Sequence, residues 1–544
     1  GGVRSFGACV HDVMNQDTGL RFDLRMLHYP RTFQPDVYAR GGKSGGESRM
    51  AKRITSILLV ICLALLFLAL PVPARAEGEQ DTAAREEAAA DGAGEEAGAE
   101  KADPALTLQP DGFYDRQGRR VYFRGVNVAG NAKVPPFIPF DDPSWWDKLA
   151  SWGFNMVRLT VFWEAIEPEP GVYDQAYLDK VEELVDEASK RRLYILVDMH
   201  QDLYSRWLRG DGAPDWAFPP SVDPRHNNGF GGQFWGLAYF LSSDVRACFT
   251  YFWKSNELQE HYRNAWLEVV RRVKDNPYIL GYDIMNEPSC GDLPNGKGEF
   301  ENGYLKPFYE KVIAAIRELH PGAPAFVEPN LADMYSSKLT PFGVDGLVYA
   351  THLYNPISNM LRFNLLPDYL LFRLLVEPMK NKAEELGIPL VIGEFGAPWT
   401  MWPAYSRDMS VNNSYLVLEQ NFLSNAYWDY SVKDVAVWNE EDFSLIDAAG
   451  NPRGLNVNAR PYVRRLAGTP LSQSFCRFSR VYRVSFRAEP GGPPTVIHVP
   501  DAIQYPGGFQ VSVSDGRTQY RKKRGELLYW PESSGTHQVT IRPR

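Results

Sequence analysis

Between Leu106 and about Ala467 the sequence switches repeatedly between two hydrophobic periods, and this alternation constrains the fold more than any other feature. Eight short apolar runs read as strands: 121–126, 154–160, 193–198, 279–285, 325–328, 347–351, 390–394 and 426–429. Between them lie helical patterns such as Leu178, Val181, Leu184, Val185 and Ala188, or Tyr262, Trp266, Val269, Val270 and Val273, whose three-and-four spacing puts apolar side chains on one face. Eight strand–helix units predict a (β/α)8 TIM barrel over residues 105–466. Beyond it the texture changes to alternating runs such as Val481-Tyr482-Arg483-Val484-Ser485-Phe486, separated by clusters such as Pro490-Gly491-Gly492-Pro493. Residues 467–544 are therefore expected to form a small C-terminal β-sandwich.

The chain ahead of the barrel reads differently. Residues 1–49 hold no pattern that predicts a fold and are set aside as an over-extended or unstructured N-terminus. Residues 50–76 carry Lys52 and Arg53, an apolar run from Ile54 to Leu70, and Ala74-Arg75-Ala76, the plan of a secretory signal peptide cleaved after Ala76. Such a segment predicts a secreted protein; an uncleaved membrane anchor is the alternative. Residues 77–104 are mostly Ala, Glu, Gly and Asp and are expected to be a disordered acidic linker. Residues 77–544 hold 48 basic against 62 acidic residues, a net charge of −14, which argues against nucleic acid as a partner. Only Cys248, Cys290 and Cys476 remain beyond position 76; the first two could bridge two loops or stay as thiols.

In a barrel of this kind chemistry gathers at the C-terminal strand ends. Those ends are polar here: Arg158 on the second strand, Asp198 to Asp202 after the third, Asn286-Glu287-Pro288 after the fourth, His352 and Tyr354 after the sixth, Glu394 on the seventh and Trp428 on the eighth. Glu287 and Glu394 each follow an apolar strand, where a carboxylate is costly unless paired. Salt bridges closing the barrel would explain them without chemistry, but two carboxylates facing one cavity are also the machinery of glycoside hydrolysis. In that reading Glu394, beside the Arg158 counter-charge, is the ionised nucleophile. Glu287 then protonates the leaving oxygen and afterwards activates water. Retention of configuration requires the two carboxyl groups to lie about 5–5.5 Å apart. No metal or other cofactor is expected, since there is no HExxH motif or Cys/His cluster.

These strand-end residues, with Ile392-Gly393-Glu394-Phe395-Gly396 and His352-Leu353-Tyr354, resemble the pattern of glycoside hydrolase family 5, clan A. Within that family the chain is most similar to the endoglycoceramidases, through Arg124-Gly125-Val126-Asn127, Ala132-Lys133, 173–182, 198–205 and 212–217. The resemblance implies a retaining enzyme with Glu287 as acid/base and Glu394 as nucleophile. It implies that Asn286 bonds the sugar 2-hydroxyl, that Tyr354 orients Glu394, and that Lys133, His200 and Asp202 hold the sugar next to the scissile bond above a Trp428 floor. Arg158 and His352 complete the implied set. The implied substrate is a glycosphingolipid in micelles or membranes, cut between oligosaccharide and ceramide.

Such a substrate needs an apolar surface beside the sugar groove. Two inserts are candidates: 207–253, with twelve large aromatic residues, and 356–376, which is apolar on more than one helical face. The second is predicted to border a lipid channel or to touch a membrane surface transiently, unless its second face is covered by the barrel. A β-glucanase or β-mannanase acting on soluble polysaccharide, a glucosyl- or galactosylceramide-cleaving glycosidase, and an inactive binding barrel are the alternatives. The protein is expected to act as a monomer.

Overall fold

The computed structural model describes residues 104–364 and 368–544. The predicted leader and nearly all of the acidic linker lie outside the described residues. Eight parallel strands close into a barrel: β1 Arg124–Val128, β2 Met156–Phe162, β3 Tyr194–His200, β4 Ile279–Asp283, β5 Ala325–Val327, β6 Leu347–Leu353, β7 Leu390–Phe395 and β8 Ser424–Tyr427, with β8 pairing back onto β1. The predicted strands appear in order, shifted by at most three residues at their starts. Outward side chains such as Val157, Leu159, Ile195 and Val197 pack under the surrounding helices around Trp146 and Trp266. Helix Gln175–Lys190 shows why that layer forms. Asp174 caps its N-terminus by accepting from the Tyr177 amide, and Leu178, Val181, Leu184, Val185 and Ala188 all face inward.

The barrel interior changes character with height. At the N-terminal end Met156, Tyr194, Leu196, Leu280, Phe326, Val348, Ala350, Val391 and Ala426 fill it, and Phe113 and Phe123 close the bottom with ring centroids 5.3 Å apart. One turn of pleat higher the inward residues are Arg158, Asp198, Asp283 and His352, all buried. The change is built by period two along each strand, because residues two apart point the same way.

The C-terminal module consists of two antiparallel sheets packed face to face. The four-stranded sheet joins Thr469–Cys476, Val481–Ala488, Gly535–Pro543 and Phe509–Val513. Phe475, Tyr482, Val484, Phe486, Val539 and Ile541 from it meet Val463, Ile497, Leu527 and Tyr529 of the other sheet. That second, seven-stranded sheet draws its border differently from the sequence expectation. Besides Tyr462–Leu466, Thr495–His498, Glu526–Trp530 and Arg517–Arg521 it includes Leu106–Gln109, Gly112–Asp115 and Arg120–Val121, which stand ahead of the barrel in the chain. Arg120 and Val121 pair with Leu466 and Arg465. This N-terminal hairpin covers what would otherwise be an open sheet edge, and Val121 belongs to it rather than to the first barrel strand.

The two inserts also resolve. In 207–253 most aromatic residues belong to the core, with Phe249, Phe252 and Trp253 buried; Phe234, Phe240 and Tyr251 are exposed. The second insert forms helices Pro356–Leu361 and Asp368–Leu386. Phe372, Val376 and Met379 face inward, whereas Leu361, Leu370 and Leu374 are exposed. Cys248 and Cys290 are free thiols and do not bridge the two loops. Among the described residues no helix is long and apolar enough to cross a membrane.

Candidate active site

All ten residues singled out from the sequence meet at the C-terminal end of the barrel in one connected network. Arg158, fully buried on β2, is its hub. Its Nη1 donates to Glu394 Oε1 at 2.8 Å and to Asn127 Oδ1 at 3.2 Å; its Nη2 donates to Asn286 Oδ1 at 2.9 Å and Glu328 Oε1 at 3.0 Å. Its Nε donates to Asp283 Oδ2 at 2.9 Å, and Asp198 Oδ1 lies 3.0 Å from Nη2. Burial works against the guanidinium charge, but four surrounding carboxylates outweigh it and hold Arg158 firmly protonated.

Glu394 reaches this hub through a local irregularity. Thr351 pairs with Ile392 and His352 with Glu394, so Gly393 is an extra residue that bulges the strand. A Cβ at Gly393 would stand 3.2 Å from His352 Nε2. Glycine thus lets the imidazole close on the strand while the bulge directs the Glu394 carboxylate inward. Its second oxygen accepts from the Tyr354 hydroxyl at 2.9 Å.

Glu287 occupies a different environment. Its backbone is in the left-handed region, φ 42°, which disfavours a residue with a Cβ and needs external support. That support is present: Gln201 Nε2 donates to the carbonyls of Asn286 and Glu287 at 2.8 and 2.9 Å, and the Glu287 amide donates to Glu328 Oε2 at 3.0 Å. Among the described residues its side chain has His352 as hydrogen-bond partner, with Nδ1 2.8 Å from Glu287 Oε1. Burial pushes the Glu287 carboxyl up to about 7, with His352 partly opposing the rise. Burial disfavours charge on His352 too, but Glu328 and Glu394 overcome it, and the imidazole is held protonated. Asn286 is buried, with Nδ2 donating to the Gln201 carbonyl at 3.0 Å.

The remaining predicted residues form a flank next to this pair. Lys133 is buried with Nζ 2.5 Å from Asp202 Oδ2, 3.8 Å from the Trp438 ring centroid and 4.4 Å from that of Trp428. Burial alone would raise the Asp202 carboxyl, but Lys133 and His200 bring it down to about 2. His200 lies flat against Trp428, centroids 5.4 Å apart, with Nδ1 2.7 Å from Asp198 Oδ2. Burial lowers the His200 imidazole, yet Asp198 lifts it to about 10.

Among the described residues two groups gather ligand atoms within 4.8 Å of one another, His200 with Asp202 and Asp211, and Glu287 with His352 and Glu394. Each already holds an internal cation: the Lys133 ammonium lies on Asp202, and Arg158 and His352 lie on Glu394 and Glu287. The carboxylates thus have charge partners of their own.

Several participants were not singled out beforehand. Asp283 and Glu328 contact Arg158 from β4 and the end of β5, and Asn127 does so from β1. Their signal was a polar residue inside or directly after an apolar strand. Trp438 and Glu441, whose Oε2 is 3.9 Å from Lys133 Nζ, come from the long segment after β8, where no periodicity marks them.

A closed barrel with two buried glutamates at one mouth, their nearest carboxyl oxygens within 4.8 Å and each held by different neighbours, defines the class of barrel glycosidases. The chain belongs to glycoside hydrolase family 5: residues 114–434 match the family's model "Cellulase (glycosyl hydrolase family 5)", and residues 460–542 match its C-terminal domain. It is 28% identical over 472 residues to endoglycoceramidase I of Rhodococcus hoagii, covering 81% of this chain and 89% of the relative. Endo-glycoceramidase II from a Rhodococcus species, solved with ganglioside GM3, superposes with a TM-score of 0.68 at 27% identity, over 80% of this chain and all of that one. The same enzyme as a lactosyl-enzyme intermediate gives a TM-score of 0.65 at 28% identity, over 79% and 99% of the two chains. The protein is a glycosidase similar to the endoglycoceramidases.

Proposed function

We propose that this enzyme hydrolyses the bond between oligosaccharide and ceramide in glycosphingolipids by double displacement. The observation that carries the proposal is that Glu287 and Glu394 face each other with carboxyl oxygens within 4.8 Å, which supports the short carboxyl spacing of about 5–5.5 Å found in retaining enzymes. Glu287, its carboxyl raised to about 7, gives its proton to the glycosidic oxygen while Glu394 attacks the anomeric carbon. The bond to ceramide breaks, ceramide leaves as the alcohol, and a glycosyl ester remains on Glu394. The Glu287 carboxylate then takes a proton from water, the hydroxide attacks the same carbon, and Glu394 is released. Arg158 and Tyr354 hold one Glu394 oxygen each, which orients the nucleophile and receives it again as a carboxylate. Asn286, Lys133, His200, Asp202, His352 and Trp428 form the wall that the sugar meets. The Rhodococcus enzyme's ganglioside complex and its lactosyl-enzyme intermediate support both the substrate class and the covalent step.

The lipid side is supported by an apolar rim on the same face. Trp402, in the segment after β7, is 69% exposed and stacks on Phe363; Tyr405, Leu361, Leu370 and Leu374 are also exposed. This rim touches the micelle or bilayer transiently, and the enzyme acts as a secreted monomer after cleavage following Ala76. Fractionation with N-terminal sequencing, and light scattering of the purified protein, test those two statements.

The deciding experiment incubates the enzyme with a defined glycosphingolipid in detergent and weighs both products by mass spectrometry. Intact oligosaccharide with ceramide is expected. Monosaccharide release would make the enzyme exo-acting, and cleavage of soluble β-glucan or β-mannan without lipid cleavage would replace the substrate class.

A further inference from the structure

At the opposite end of the barrel the acidic chain conceals a basic cleft. A cavity of about 450 Å³ opens between the N-terminal strand ends and the seven-stranded sheet, floored by Tyr194 and Tyr278 and walled by Leu528 and Trp530. Seven arginines line it against two carboxylates, Asp115 and Glu526, in a protein whose residues 77–544 carry a net charge of −14. The two carboxylates are already engaged. Asp115 is 2.8 Å from Arg119 Nε and 3.4 Å from Arg465 Nε, and Glu526 is 3.5 Å from Arg464 Nη1. Among the described residues no hydrogen bond or ion pair engages the side chains of Arg192, Arg521 or Arg524.

Those three come from separate parts of the fold. Arg192 stands just before β3, Arg521 ends strand Arg517–Arg521, and Arg524 lies in the turn Lys522–Arg524. Convergence of like charges from barrel and sheet is unfavourable without an anion between them, and low-dielectric walls strengthen the field inside a concavity. Guanidinium forks match phosphate oxygens in pairs, and the volume lies in the range of small-molecule sites, about 300–1,000 Å³. Tyr194 in this cleft and His200 stand six positions apart along β3, roughly 20 Å at the rise of a strand, so a ligand here leaves the glutamate pair free.

We infer that this cleft binds a phosphate-bearing anion, held by Arg192, Arg521 and Arg524. The same chemistry is offered by a soluble phosphorylated metabolite and by an anionic phospholipid headgroup. The test is calorimetric titration of the full chain with inorganic pyrophosphate at low ionic strength, alongside flotation with phosphatidylcholine vesicles with and without phosphatidylglycerol. Saturable pyrophosphate binding, weakened about tenfold or more in R521E/R524E and separately in R192E, supports the inference for a soluble ligand. Flotation only with phosphatidylglycerol, lost in the same variants, supports it for a lipid. The variants should keep the wild-type melting temperature and activity on a soluble aryl glycoside. No binding of either probe, or equal binding by wild type and variants, overturns it.

Discussion

Leu196 and Asp198 stand two residues apart on β3 and both point into the barrel, yet they live under opposite rules. Leu196 is held by apolar neighbours of any matching shape, and its burial contributes about 1.5–3 kcal/mol. Asp198 is buried at a cost that only Arg158 and His200 offset, both at 3.0 Å or less. The same step recurs from Met156 to Arg158 on β2 and from Ala350 to His352 on β6. Facing is thus set by the strand period, and height alone decides whether a position serves the core or the chemistry. The lower layers tolerate imperfect packing, whereas the upper layer works only when each charged member has its partner.

This contrast can be broken from either side. The largest effect is expected from Glu394→Gln, which should lower kcat about 10⁴–10⁶-fold while leaving the melting temperature near wild type; a small loss of rate would remove Glu394 as the nucleophile. Next is Lys133→Met. It strands the Asp202, Asp211 and Glu441 carboxylates in the interior, so chemical denaturation should show a loss of about 3–5 kcal/mol. Leu196→Ala should cost about 2–5 kcal/mol, but kcat/KM per folded molecule should stay unchanged. An activity loss as large as that of the upper-layer variants would show the two layers to be coupled.

Smaller shifts sharpen the upper layer itself. Glu287 must be protonated to act as the acid, so kcat/KM should fall as pH rises through about 7. His352 pulls the Glu287 carboxyl down, so His352→Gln should move this alkaline limb to higher pH; an unmoved limb would assign it to another group. The smallest effect belongs to L370S/L374S at the rim. Stability and hydrolysis of a soluble aryl glycoside should be unchanged, and activity on micellar glycolipid should fall a few-fold; equal losses on both substrates would sink the membrane-contact reading.

The barrel was legible because its signals are local. Period-two runs marked the strands, and polar residues in or just after six of those runs marked the mouth, which is how Glu287, Glu394 and Arg158 stood out. Other features were hidden, each for a physical reason. Asp283 lies inside a strand, where a polar residue reads as an exception until its partner is known. Trp438 and Glu441 sit in irregular chain whose direction nothing local sets. The pairing of Val121 with Arg465 joins residues far apart in sequence, and a sheet edge carries no sign of which distant segment will cover it. Overall acidity also masked the arginine cleft, since net charge averages over a surface on which local clusters survive.

The hairpin that pairs Val121 with Arg465 gives the enzyme a schedule. At about 5–20 residues per second of synthesis, its strands emerge from the ribosome roughly 20–70 s before their sheet partners exist. The barrel's first strand follows directly on that unpaired hairpin, so the nascent chain carries an open edge through most of its translation. The finished molecule is fastened shut only when its last segments arrive, which makes the C-terminal module the clasp of the catalytic fold.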